Sequence, residues 1–281
     1  YGRNIETALD RRFVAHQEAI SALSRHIEVS PDMTFRQFED FTRITLQDHK
    51  DIFALSCNPL VRVADRENFE KRMRTLSPIP DFRITERDAA RNLVTAAHHS
   101  LAVVVGFIAP LAGNLPAIGF DIYSDPIRRA AIDRALEENR TVLTAPIHLV
   151  QENQEKLGAL LLSPSYKMTR NAPDDGQRGI ANFAVGVIKL DEMIEIATKD
   201  IRQDQLTFHL EDNTVEHERK KIYCSNGPLQ RPLSPFAWQT NLKLADRQWT
   251  LTVTPSATYL MQHRSWLTWT IGIVSLLFTA L

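Results

Sequence analysis

The chain has 281 residues with 33 Lys+Arg against 34 Asp+Glu, so its formal net charge of −1 gives no reason to expect nucleic acid as a partner. Only 10 glycines are present, which speaks against phosphate-cradling loops, and no GxGxxG or Walker-type run occurs. Cys57 and Cys224 are too few and too far apart for a zinc cluster; they could pair, but read better as buried thiols behaving as small hydrophobes.

Residues 3–29 contain neither Gly nor Pro, and Ile5, Leu9, Phe13, His16, Ile20, Leu23 and Ile27 recur at three- and four-residue steps. That spacing predicts a long helix with a narrow apolar seam, and suggests a homodimer formed along it. His16 falls on the seam, where a packed histidine and a pH-sensitive contact are both open. Ser30-Pro31-Asp32 breaks the helix, and Thr34 caps a second one expected to run to about Ser56. Cys57-Asn58-Pro59 reads as another break. The charged stretch after it, to about residue 75, is expected as an amphipathic helix closed by Ser77-Pro78-Ile79-Pro80.

From Phe82 the periodicity turns to strands. Residues 101–109, LAVVVGFIA, are apolar on both faces, as in a covered central strand. In AIGFDIYSDPIRRAAIDRALEENRTVLTAPIHL (117–149), Ile118, Phe120 and Ile122 alternate with Gly119, Asp121 and Tyr123, predicting a strand. Asp125-Pro126 then starts a helix with Ile127, Ala131 or Ile132, and Ala135 or Leu136 facing inward and the arginines facing water; it ends near Asn139-Arg140. TVLTAPIHL resumes as a strand, and 157–166 and 180–190 follow around a polar loop at 167–179. A helix at 191–200 bridges to a smaller β unit containing QLTFHL, KKIYC, QTNLKL and QWTLTVTPS, with a hairpin turn at Ala245-Asp246-Arg247. The fold class expected is α+β with antiparallel sheets.

From Ser265 to Leu281 no charge occurs. Such a stretch measures about 25 Å as a helix, close to a hydrocarbon core, with Trp266 and Trp269 near its start. The chain is therefore expected to be a piece of a longer membrane protein entering its span; a genuine C-terminal anchor is the rival reading.

No GxSxG, HExxH or CxxC is present, and adjacent His98-His99 diverge on any regular element, so neither a catalytic set nor a metal site is expected. No cofactor is implied. Asp121 alone lacks a packing reason: it sits either on the wet face of an edge strand or in a cavity.

The segments FALSCNPLVRVADRENFE, GNLPAIGFDIYSDPIRRAAIDRALEENRTVLTAPIHLV, FAVGVIKLDEMIEIA and ADRQWTLTVTPS resemble the CHASE sensor domain, the extracytoplasmic input domain of transmembrane histidine kinases and nucleotide cyclases, including plant cytokinin receptors. The likeness runs from about residue 35 to 260. It implies a helical stalk (1–56), a membrane-distal PAS-like ligand-binding domain with the bridging helix (57–198), a membrane-proximal PAS-like domain (199–262) and the start of a transmembrane helix (263–281). It implies a periplasmic or extracellular location and a cytoplasmic histidine kinase or diguanylate cyclase. In cytokinin receptors the residue matching Asp121 hydrogen-bonds adenine and the one matching Leu143 makes a main-chain contact. A third contact, a threonine, aligns near Gln151-Glu152-Asn153, where this chain has none. The expected site is a cavity of ~300–1,000 Å³ containing Asp121, with Tyr123 and Gly119 on the same strand face, Phe107 as an aromatic wall, Leu143 offering backbone groups and Thr144 beside it. Its ligand would be a cytokinin-like molecule or another small heterocycle. An interaction module on the same fold, with no small ligand, is the competing reading.

Overall fold

The computed structural model describes residues 2–148, 157–166, 179–199, 206–215, 218–225 and 235–262. Two helices come first, α1 (Gly2–Val29) and α2 (Phe35–Asp48). Thr34 caps α2 through a reciprocal box with Gln37, as its sequence predicts. The helix then stops well short of Ser56, because Ile52–Arg62 is β1, a strand buried on both faces. The expected break at Cys57-Asn58-Pro59 is therefore strand interior, and a stalk ending at residue 56 would cut β1 in two. The charged helix is α3 (Arg66–Leu76).

Short strands follow: β2 (Thr85–Arg87), β3 (Leu93–Thr95), β4 (Leu101–Val103) and β5 (Phe107–Ala109). The apolar run 101–109 is thus two strands, both antiparallel to β1, separated where Val104 and Gly106 donate to the Pro59 and Cys57 carbonyls. The strand expected at 117–123 does not form. Two 3₁₀ turns, Leu115–Ala117 and Ile122–Ser124, flank isolated bridges at Phe120 and Asp121. Gly119 causes the interruption: its φ is +85°, and a Cβ there would collide with the Arg83 carbonyl.

Helix α4 (Pro126–Glu138) starts as expected, with Asp125 Oδ1 accepting from the Arg128 N–H, and ends at Asn139 in the left-handed region. Ala131, Ile132 and Ala135 are its buried stripe, while Ile127 is exposed. Then come β6 (Val142–Leu143), β7 (Ile147–His148), β8 (Leu157–Tyr166), β9 (Ile180–Lys189) and α5 (Leu190–Thr198). Thr144 splits β6 from β7 by accepting the Leu160 N–H on its own Oγ1. The sheet expected to be membrane-distal, hereafter the distal sheet, is antiparallel in the order β4–β1–β9–β8–β6, with β5 also on β1 and β7 also on β8. In the unit expected to be proximal, β10 (Leu206–Val215), β11 (Glu218–Cys224), β12 (Trp238–Leu244) and β13 (Arg247–Pro255) form a four-stranded antiparallel sheet ordered β11–β10–β13–β12, followed by α6 (Ala257–Gln262).

The seam of α1 has a different partner from the one its spacing suggests. Ile5, Leu9, Phe13, His16, Ile20, Leu23 and Ile27 are all buried within this chain, against β8, β9, α5 and β12. The heptad-like spacing is therefore a core stripe and offers no free dimer face. Gly186 lets the Ile20 side chain descend onto the distal sheet, since any Cβ there would meet it. Toward the other end of α1, Glu6 bonds the Thr240 hydroxyl and Gly2 lies against Trp238, so one helix ties both sheets together. Midway, Arg12 binds both Asp51 oxygens and His16 Nε2 lies 3.0 Å from Asp51 Oδ2. Burial works to raise the Asp51 carboxyl, but His16 and Arg12 outweigh it and hold it well below the usual carboxylate range.

Cys57 and Cys224 form no disulfide; burial pushes the Cys57 thiol up to about 12, which makes it inert. Among the described residues no helix is long and apolar enough to cross a membrane. The expected span at 265–281 and almost all of the loop at 167–179 lie outside the described residues.

Candidate ligand-binding site

Alternation along the central strands decides where a cavity can form. Leu55 pairs with Gly186, and both face α1; the next pair, Ser56 with Val185, faces the opposite side. On that opposite face Ser56 and Asn58 of β1, Leu160 of β8, and Val185 and Val187 of β9 make a floor, with Ile147 at its edge. Ile108 of β5, paired with Ser56, belongs to the same floor, and Val105, Pro116, Ala117, Phe120 and Ile122 form the roof. The β2–β3 hairpin closes one side through Arg87 and Leu93, and the first turn of α4 contributes Arg128. The cavity volume is about 120 Å³. That is smaller than the expected range and close to the ~150 Å³ that accommodates a benzene ring.

The lining is apolar except at a few points, the usual make-up of a small-molecule pocket. Asn58 is 1% exposed, and its Oδ1 has no hydrogen-bond partner. Arg128, expected to face water, is largely buried, with Nη1 3.2 Å from Asp125 Oδ2 and its guanidinium 5.8 Å from the Phe120 ring centroid. Burial lowers the Arg128 pKa, Asp125 opposes that and Arg87 adds to it, yet the guanidinium stays cationic.

The residues expected from the sequence lie around this cavity and outside its lining. Phe120 and Ile122 line it, whereas Asp121 between them does not. Asp121 Oδ1 accepts from the Val103 and Tyr123 N–H groups at 2.9 Å each, fastening β4 to the 3₁₀ turn, and Oδ2 is buried without a partner. Burial raises its pKa, partly offset by those two bonds. Tyr123 donates its hydroxyl to Asp133 at 2.7 Å and carries the Arg129 guanidinium over its ring. Phe107 packs against Phe35 and Phe38. Leu143 does use its backbone groups, but within the protein: its N–H donates to Asp246 Oδ1 at 2.7 Å and its carbonyl accepts from Arg134. Gly119 permits the turn and Thr144 replaces a ladder bond, as above. Sequence reasoning missed Ser56, Asn58, Arg87 and Arg128. Only Arg128 left a signal, in the Asp-Pro-x-Arg-Arg start of α4.

One further cluster stands apart. Donor atoms of His16, His49 and Asp51 lie within 4.8 Å of one another, but Arg12 already occupies both Asp51 oxygens.

The chain thus combines a cavity on one face of an antiparallel sheet with a long helix on the other face that reaches a second sheet. Residues 31–223 match the CHASE domain family, and the chain belongs to it. No curated protein matches the chain. Among solved structures it is similar to an extracellular ligand binding receptor from Desulfohalobium retbaense DSM5692, at 11% identity and TM-score 0.54, over 89% of this chain and 38% of that one. It is also similar to the ligand binding domain of the Pseudomonas aeruginosa PAO1 amino acid chemoreceptor PctB in complex with L-Arg, at 12% identity and TM-score 0.46, over 91% and 90% of the two chains. A third is Methyl-accepting Chemotaxis protein X, at 8% identity and TM-score 0.42, over 88% and 95%.

Proposed function

We propose that the distal sheet is a PAS-like small-molecule sensor whose ligand occupies the 120 Å³ cavity, and that the chain is the extracytoplasmic input of a transmembrane receptor with a histidine kinase or diguanylate cyclase output. The observation that carries the reading is the cavity itself: partly open, mostly apolar, and provided with a buried, unpartnered Asn58 oxygen. Its size argues for a ligand nearer to a single ring than to a substituted purine.

The same geometry offers a route outward. Arg128 on the first turn of α4 lines the cavity, and Arg134, further along the same helix, grips Asp246 Oδ2 at 2.8 Å. Asp246 lies in the β12–β13 turn, and β13 leads directly to α6. A ligand that binds one position of α4 more tightly than another would shift the Arg134–Asp246–Leu143 junction and, with it, the proximal sheet. Asp121 acts in this reading as a positioning residue for the cavity roof. Because the α1 seam is filled, self-association, if the receptor uses it, falls to another face.

The test is thermal-shift screening of the full chain against single-ring and short-chain compounds, repeated with Ala117→Phe. Ala117 is a half-buried rim residue, and phenylalanine there fills the mouth. Compounds should raise the melting temperature of the wild type and fail to do so for the variant. Equal shifts in both, or none in the wild type, would reject the cavity as the sensing site.

A further inference from the structure

We infer that the cavity is selective for a small monoanion, a carboxylate on a short or single-ring body that also carries one neutral N–H donor. This rests on the reading of the cavity as the ligand site. Charge is the first ground. Arg87 and Arg128 both line the cavity, near enough for Arg87 to lower the Arg128 pKa, and among the described residues no Asp or Glu lines it. Asp125 lies behind Arg128 and offsets one of the two positive charges. The remaining charge belongs to Arg87, half-buried at the side of the apolar cavity, whose Nη1 also donates to the Arg91 carbonyl at 3.1 Å. Such a charge is stabilised by an incoming anion, and a guanidinium fork suits a carboxylate in bidentate geometry.

The second ground is Asn58. Its Oδ1 is buried and bonded to nothing, which is costly unless something donates to it. Among the described residues the other lining side chains are apolar apart from Ser56 and the arginines. A ligand N–H is therefore the natural partner, and a second carboxylate or a ring oxygen placed there would face the amide oxygen unfavourably. Size is the third ground: about 120 Å³ limits the body to roughly one ring or a few carbons. Chemistry and volume together select against substituted purines and long peptides.

Pyrrole-2-carboxylate carries both features on one ring and serves as the probe. Pyrrole-2-carboxamide lacks the charge, and furan-2-carboxylate lacks the donor. Calorimetry at pH 7 on the full chain should give tight binding of the first and a loss of about 10-fold or more for each of the others. Arg87→Gln, at a partly exposed position, should reduce carboxylate affinity by about 10-fold or more while leaving the carboxamide unchanged; Arg128→Lys should retain more of that affinity than Arg128→Gln. Asn58→Leu should erase the preference for pyrrole over furan. If the carboxamide binds as well as the carboxylate, and Ala117→Phe abolishes both, the cavity is the sensor site and the anion inference is wrong. If Ala117→Phe abolishes neither, the site reading itself has failed. A wild type that binds none of the three overturns the inference for ligands of this size.

Discussion

The distal and proximal sheets are built alike, from antiparallel strands with one face turned toward helices or the neighbouring unit, and they differ in how their buried charges are paired. In the proximal sheet Trp249, Phe208, Leu210 and Leu251 fill the interior, Trp249 Nε1 is buried without a partner, and Asp212 and Arg247 satisfy each other at 2.6 Å beside a cleft shared with Ile127 and Arg134. In the distal sheet one face is filled by α1, while the other keeps a cavity, an orphan amide oxygen and two arginines with a single acid behind them. A buried charge that is paired holds structure; one left incompletely paired beside empty space is available to a ligand. In the proposed reading the distal sheet is the receptor and the proximal sheet the relay; the two sheets meet at Arg134, Leu143 and Asp246.

The largest effect should come from breaking the helix that both sheets share. Leu9 and Leu23 are each 1% exposed, so Leu9→Glu or Leu23→Glu places a carboxylate in the core and should cost several kcal/mol. Loss of the cooperative thermal transition is the expected outcome. A folded variant that only dissociates would restore α1 as a dimer interface. Trp249→Ala should follow, with a loss of about 3–5 kcal/mol in denaturant unfolding and no direct change in the cavity lining.

Asp246→Ala sharpens the comparison at the junction. It leaves the Leu143 N–H without its partner and frees Arg134, a loss of about 1–3 kcal/mol. Hydrogen exchange should then show that ligand protects the distal sheet without altering β12 and β13. Unchanged transmission to those strands would remove the junction from the route.

The smallest and most conditional effect concerns Asp51. Its folded-state pKa is depressed, so its ion pair contributes stability that is complete above the unfolded value of about 4 and is lost as pH falls below it. The stability difference between wild type and Asp51→Asn should therefore be flat from pH 7 to about 5 and shrink below about 4. A difference that grew on acidification would contradict the assignment.

What the sequence made legible follows local chemistry. Asp125-Pro126 announces α4 because capping needs only neighbouring residues. Strands β8 and β9 are legible because each has a long, mostly apolar run buried on both faces. Strand β1 is equally buried but carries Ser56, Asn58 and Pro59, which read as a break. Proline is tolerated there because Pro59 marks the last pairing with β9, after which the strand turns to β4. That misreading concealed Asn58. The alternation at 118–123 was genuine, but Gly119 in the left-handed region turns the segment into bridges and 3₁₀ turns, with Phe120 and Ile122 lining the cavity and Asp121 outside its lining. A hydrophobic period identifies which residues are buried together; which of them meet a cavity depends on long-range register that no local pattern encodes.

The central claim, that sensing resides in the distal cavity, is tested most directly by methyl NMR of the full chain titrated with pyrrole-2-carboxylate and the strongest hits of the thermal-shift screen. The first and largest shifts should fall on Ile108, Ile122, Leu160, Val185 and Val187, all of which line the cavity, with smaller changes at Leu251 and Val253 of β13. Ala117→Phe should abolish both sets. Shifts centred on the proximal sheet, or a cavity pattern that persists in the filled variant, would contradict the account.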